Sequence, residues 1–299
     1  QNDDAAVLDI GNGQALVHST DFFTPIVDNP FDFGNIAGSN AISDIYAMGA
    51  SPDMALAILG WPIDKFGSKM AGEVLAGARE SCKKAGIPLA GGHSIDIPQP
   101  IFGLSVTGRV GIGELKKNNG ARPGDLLYLT KPLGIGLIAT AMKKELANDD
   151  DTKWALETMK KLNFEGAELS RITGVNAMTD ITGFGLAGHL HEMMKASNCS
   201  ALIDYDSIPK YNYPRLKELY SLNCMPTGTT KNYIAYHKEI SKVNGEELFV
   251  LFDPQTSGGL LISVDPKDKS KTETILKKYG PINCIGTVKD RNEILISLI

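Results

Sequence analysis

Four aspartates carry the clearest chemistry in this 299-residue chain. Asp4, Asp21, Asp44 and Asp180 each stand at the edge of an apolar element beside Gly, Ala, Ser or Thr, and Asp3 adds a second carboxylate next to Asp4. Such acids are costly to bury without a partner. Magnesium takes one or two carboxylates and completes its shell with phosphate oxygens and water, so separated aspartates gathered by a fold suit a metal-bridged nucleotide polyphosphate. For each acid alone the competing reading is a helix cap or a structural ion pair, and for Asp3-Asp4 a solvated, frayed end.

A second candidate is Gly91-Gly92-His93-Ser94. Two glycines let backbone amides approach a phosphate while His93 and Ser94 donate hydrogen bonds; the alternative is a tight turn with a surface histidine. Lys131-Pro132-Leu133-Gly134-Ile135-Gly136 follows a strand-like run but matches neither G-x-G-x-x-G nor G-x-x-x-x-G-K-[ST]. His189 and His191 lie two apart and do not share a helix face as an i, i+4 metal pair would. His18 and His237 read as structural.

The elements that must position these groups follow from periodicity. Residues 7–10 and 15–20 read as a hairpin around Gly11-Asn12-Gly13. A proline-punctuated loop over 24–32 leads to a helix over 35–49, whose apolar arc is Ala41, Ile45 and Met48; Asn40 and Asp44, at i and i+4, lie together along its edge. Strands are expected over 53–59 and 88–90, with a helix over 68–85 between them and the Gly-Gly-His-Ser run after the second. Alternation from Phe102 to Gly108 closes a first unit near Val110, and the polar stretch 111–124 reads as a crossing. Beyond it come a strand over 126–130 and helices over 154–162, 165–172 and 186–196, the last two separated by a glycine-rich interruption over 177–185. Strands over 260–264 and 294–299 complete the pattern. Helices and strands interleave, and the hairpins favour α/β architecture in α+β layers over a purely parallel sheet. The chain is long enough for two domains, expected over 1–110 and, as a C-terminal α/β domain, over 111–299.

Composition narrows the function. Hydrophobic residues are 42% and charged ones 22%, which is ordinary globular chemistry. A formal charge of −5 with dispersed basic residues argues against nucleic acid. No apolar run of about 18 residues suggests a membrane span. Cys82, Cys199, Cys224 and Cys284 are far apart with no C-x-x-C pair, which argues against zinc or a disulfide framework and suits a reducing cytoplasm; Cys82 reads as a buried small hydrophobe. The chain starts at Gln1 with no methionine, and a longer parent protein is expected.

The ordered series Asn2-Asp3-Asp4-Ala5-Ala6-Val7, Ser19-Thr20-Asp21-Phe22-Phe23-Thr24-Pro25-Ile26-Val27-Asp28-Asn29-Pro30, Asn40-Ala41-Ile42-Ser43-Asp44-Ile45-Tyr46-Ala47-Met48-Gly49, Ala90-Gly91-Gly92-His93-Ser94-Ile95, Thr179-Asp180-Ile181-Thr182-Gly183-Phe184-Gly185 and Asp253-Pro254-Gln255-Thr256-Ser257-Gly258-Gly259 resembles the selenophosphate synthetases almost end to end. Aminoimidazole ribonucleotide synthetase and thiamine-phosphate kinase, which share the family's fold, match at scattered aspartates but not in the Gly-Gly-His-Ser and Asp-Pro-Gln-Thr-Ser-Gly-Gly runs. The resemblance implies an aminoimidazole-ribonucleotide-synthetase-like two-domain fold, a homodimer formed by the N-terminal domain, and ATP between the domains. It also implies conversion of selenide, ATP and water to selenophosphate, AMP and phosphate, with Mg2+ and a response to K+, supplying selenium for selenocysteine and selenouridine. A selenium-delivery protein is a further implied partner.

On this resemblance Asp4, Asp44 and Asp180 match magnesium ligands, and Asn2, Asp3, Asp21, Asp44, Gly92, His93 and Ser94 match nucleotide contacts. The family's reactive Cys or selenocysteine and nearby Lys have no match, since none of the four cysteines lies in a Gly-Cys-x-x-Lys context. The expectation is an ATP-binding body whose catalytic segment lies upstream of Gln1, with little activity by itself. The rivals are another ATP-dependent kinase or ligase of the same fold and a non-catalytic nucleotide-binding paralogue.

Overall fold

The computed structural model describes residues 3–241 and 244–299. The chain opens with the hairpin β1 (Ala6–Gly11) and β2 (Gln14–Phe23), then α1 (Pro30–Ala47), β3 (Ser51–Gly60), α2 (Ile63–Lys84), β4 (Leu89–Ile95) and β5 (Ile101–Gly111). Next come β6 (Leu126–Leu129), α3 (Ile135–Lys143), α4 (Asp149–Met159), α5 (Glu165–Leu169), β7 (Val175–Asp180), α6 (Gly185–Ala196) and β8 (Cys199–Ile203). The C-terminal part continues through α7 (Tyr213–Ser221), α8 (Thr227–Tyr236), α9 (Gly245–Leu251), β9 (Leu260–Val264), α10 (Lys269–Tyr279), β10 (Cys284–Asp290) and β11 (Ile296–Leu298).

The first five strands form a sheet in the order β1-β2-β5-β3-β4, antiparallel except for the parallel pair β3 and β4. The remaining six order as β11-β8-β10-β6-β9-β7. The expected α+β layering is present: among the described strands one hairpin, β1-β2, occurs together with crossover connections.

One face of the first sheet is apolar and covered. Ala15 and Val17 of β2, Ala55, Ala57 and Leu59 of β3, and Phe102, Leu104 and Val106 of β5 are buried, as period-2 alternation requires. They meet α1, a helix buried on nearly every side. Helix α2 crosses α1 at contact distance: a methyl group at Gly34 would stand 1.8 Å from the Val74 carbonyl oxygen. The opposite face of this sheet carries exposed Leu8, Ile10, Phe22, Met54 and Leu56.

Several boundaries differ from the sequence reading for identifiable reasons. Helix α1 begins at Pro30, inside the expected loop, because Asn29 caps it by accepting from the Asp32 amide at 2.9 Å and proline suits the first turn. Helix α4 starts five residues before Trp154 because Asn148 and Asp151 form a capping box. The Gly-Gly-His-Ser run is not a turn: it lies within edge strand β4. Part of the expected glycine-rich interruption is strand β7, which ends at Asp180.

Candidate functional site

Helix α1 supplies one wall of the site. Its 3.6-residue period places Asn40, Ser43 and Asp44 on neighbouring turns of one edge, as the sequence spacing of Asn40 and Asp44 implied. Ser19 Oγ of β2 donates to Asp44 Oδ2, and Asn40 Nδ2 donates to Asp21 Oδ2. Ser43 Oγ donates to Asp180 Oδ2 at 2.6 Å, so the helix of the first sheet is tied to the end of β7 in the second. Asp4 joins the same place from the chain's beginning: its Oδ1 accepts from Thr179 Oγ1 at 2.8 Å.

The structure therefore brings Asp4, Asp21, Asp44 and Asp180 together from four segments. Their electrostatics are those of carboxylates crowded away from water. Burial holds Asp4 well above the usual carboxylate range, reinforced by the charges of Asp180, Asp3 and Glu192. Asp44 is raised by burial and by Asp180 and Asp4. Asp180, 2% exposed, is pushed up to about 6 by burial and by Asp21, against the Ser43 hydrogen bond and the charge of Lys131. Asp21 is raised by burial, opposed by its bonds from the Phe22 backbone and Asn40.

Among the described residues no lysine or arginine forms an ion pair with any of these four acids. Asp3 Oδ1 and Asp4 Oδ2 are buried with no hydrogen-bond partner. Unpaired carboxylates with orphaned oxygens fit a divalent cation, which would satisfy both deficits. Among the described residues no three His, Cys, Asp or Glu side chains form a ready cage for one ion.

The Gly-Gly-His-Ser run stands apart from this cluster. Register places Asp21 opposite Leu104, Leu104 opposite Ala57, and Ala57 opposite Gly92, three strand spacings or about 14 Å across the sheet. Gly92 is needed because a Cβ there would stand 2.2 Å from the Ala57 carbonyl oxygen. Residues Gly91 to Ser94 line a cavity of about 250 Å³ with Ala57, Leu59, Leu75, Arg79 and Leu89. By register His93 pairs with Ile58 on the outer face. Asn2 lies outside the described residues.

Both halves of the chain match family models described as AIR synthase related protein: the N-terminal domain over residues 2–110 and the C-terminal domain over 122–298. A selenide, water dikinase from Escherichia coli is 52% identical over 278 residues, covering 93% of this chain and 80% of that relative. Another, from Yersinia pseudotuberculosis, is 49% identical over 300 residues, covering 99% and 86%. The chain belongs to the selenide, water dikinase family. These dikinases are enzymes, and so is this member. The AIR-synthase-like fold is also seen in thiamine-monophosphate kinase from Stenotrophomonas maltophilia, with TM-score 0.75, 18% identity and coverage of 99% of this chain and 89% of that one. Hydrogenase maturation protein HypE in complex with ATP gives TM-score 0.74 at 18% identity, covering 96% and 80%.

Beside the aspartates, this selenide, water dikinase family member has site residues that sequence reasoning missed. Ser43 and Thr179 sit next to predicted acids, so adjacency was their only signal. Asn163, fully buried, donates to Ser43 Oγ at 2.8 Å and to the Gly258 carbonyl at 2.9 Å, with nothing in its sequence context to mark it. Glu192 on α6 is a half-buried acid whose protonation is favoured by burial and whose charge reaches Asp4. Its helical position is ordinary for an exposed acid, so periodicity concealed it.

Proposed function

We propose that this chain binds Mg2+ and ATP at Asp4, Asp44 and Asp180 and acts as a selenophosphate synthetase, turning ATP, selenide and water into selenophosphate, AMP and phosphate. The observation that carries the reading is the convergence of buried acids from four segments without a basic partner. Mg2+ would neutralise the polyphosphate and stabilise charge on departing phosphate oxygens. The chain's own groups orient: Ser43, Ser19 and Thr179 each hold one carboxylate oxygen, leaving the other for a cation. Asp3, Asp21, Gly92, His93 and Ser94 are assigned to the nucleotide; ATP itself is supported by the ATP complex of a protein sharing this fold.

The reading extends to organisation. Residues 1–110 are assigned to the N-terminal domain and 111–299 to the C-terminal one, with ATP between them. Homodimerisation is assigned to the outer face of the first sheet, where Leu8, Phe22, Met54 and Leu56 are all more than 40% exposed. Among the described residues no helix is long and apolar enough to cross a membrane. A cytoplasmic role supplying selenium for selenocysteine and selenouridine, with a selenium-delivery partner, agrees with the family. Burial raises all four cysteine thiols rather than activating them, and the role assigned to these residues is nucleotide and metal binding.

The test is calorimetric titration with a non-hydrolysable ATP analogue, with and without Mg2+ and with K+ exchanged for Na+. Magnesium-dependent, one-to-one binding is expected, and binding indifferent to Mg2+ would overturn the metal assignment. In protein carrying the Cys-Lys segment, phosphorus NMR should show selenophosphate and AMP; ADP as the final nucleotide would point to a different kinase.

A further inference from the structure

Lys131 is 2% exposed and is the most buried lysine among the described residues. Its Nζ donates to two main-chain carbonyls, Lys161 at 2.6 Å and Ser257 at 2.8 Å, and among the described residues it pairs with no carboxylate. Burying an amine in that way is expensive, so a chain that does so needs the bonds it makes.

One of these acceptors lies beside the site. Ser257 belongs to the 253–259 loop and is held at φ 49°, a left-handed conformation that a side-chain-bearing residue keeps only where its surroundings hold it. The loop reaches the aspartates along two routes. The Ser257 amide donates to Asn40 Oδ1 at 2.7 Å, and the same Asn40 side chain donates to Asp21. The Gly258 carbonyl accepts from Asn163, which also donates to Ser43, and Ser43 donates to Asp180. The loop is further pinned to the residue after Asp180, since the Ile181 amide donates to the Gly259 carbonyl at 2.9 Å.

We propose that Lys131 is a positioning residue: by clamping the Ser257 carbonyl it fixes the 257–259 loop, and through the Asn40 and Asn163 amides it sets Asp21 and Asp180 at their working separation. The proposal rests on the reading of those carboxylates as a magnesium-nucleotide site. Lys131 acts without touching nucleotide or metal. Its effect travels through the loop and two asparagines.

The test is Lys131→Met in the otherwise unaltered chain, read by amide hydrogen exchange and by titration with Mg2+ and a non-hydrolysable ATP analogue. Exchange at the Ser257 amide should accelerate about tenfold or more while the Ile138 amide of α3 is unchanged, and nucleotide affinity should fall about tenfold, as for other groups that orient ligands. In a double-mutant cycle with Asn40→Ala the losses should be markedly less than additive. Unchanged Ser257 exchange, or strictly additive losses, overturns the proposal. If Lys131→Met does not fold, the pair Asn40→Ala and Asn163→Ala, which grip the same loop at adjacent residues, decides by the same criterion: coupled losses support the clamp and additive ones reject it. Failure of the unaltered chain to bind nucleotide would remove the functional reading alone, and Ser257 exchange in Lys131→Met would still decide the clamp.

Discussion

The hydroxyl of Ser43 donates to Asp180 across 2.6 Å, joining a helix on the first sheet to the last residue of a strand in the second, 137 positions away. This bond does two jobs. It fixes one oxygen of a buried carboxylate, and it leaves Ser43 Oγ as an acceptor for Asn163. Ser43→Ala removes both at a position 1% exposed. Leaving two buried polar groups short of a partner should cost about 1–3 kcal/mol, measured as a lower midpoint in urea with an unchanged slope. An unaltered midpoint would mean that the serine is dispensable to the junction between the sheets.

Asp44→Asn should separate stability from binding. The acid is raised by burial and by the charges of Asp180 and Asp4, so in metal-free protein removing its charge relieves repulsion. Thermal midpoint without Mg2+ should stay the same or rise, while magnesium-dependent nucleotide affinity falls at least about tenfold. A metal-free midpoint several degrees lower would assign Asp44 a structural role instead.

How much of this was legible follows from what each signal depends on. The acids at Asp4, Asp44 and Asp180 stood out because a carboxylate at the edge of an apolar run is costly, and that cost is local. Ser43, Asn163 and Lys131 were not legible as a network because the partners that join them to the site lie 95 to 137 residues away, only Lys161 being nearer to Lys131, and none breaks a local pattern. Strand β7 was hidden for a different reason: Ala177, Met178, Thr179 and Asp180 are all buried, so the alternation that announces a half-buried strand is missing. The double glycine at Gly91-Gly92 suggested a turn, but at Gly92 the constraint is a neighbouring strand's carbonyl.

Leu56→Lys tests the outer face of the first sheet. Leu56 is 41% exposed in the single chain and is flanked by Met54 and, across β5, by the polar pair Ser105 and Thr107. If this face is the dimer surface, a lysine near its centre places an ammonium in an apolar contact and should shift the protein to monomer in sedimentation at micromolar concentration. Arg109→Ala, whose guanidinium pairs with Asp53 near the ends of β5 and β3, should leave the mass unchanged. A dimer that survives Leu56→Lys would move the interface elsewhere.

Acid sensitivity should trace to His189. Its Nε2 accepts from the Thr182 amide at 3.0 Å, which requires the neutral ring, and burial lowers it from 6.5 to about 4. The unfolded chain binds a proton here before the native one does. Stability from this group is therefore complete above pH 6.5 and is lost as pH falls through the window toward 4, by up to about 3 kcal/mol. Denaturant unfolding between pH 7.5 and 4.5 should show that decline, superposed on the opposite trend of the crowded aspartates, whose raised values make acid conditions favourable to them. His189→Gln retains a side-chain acceptor and has no proton to gain, so its stability should fall less steeply across the same range. Parallel curves for the two proteins would place the acid sensitivity in another group.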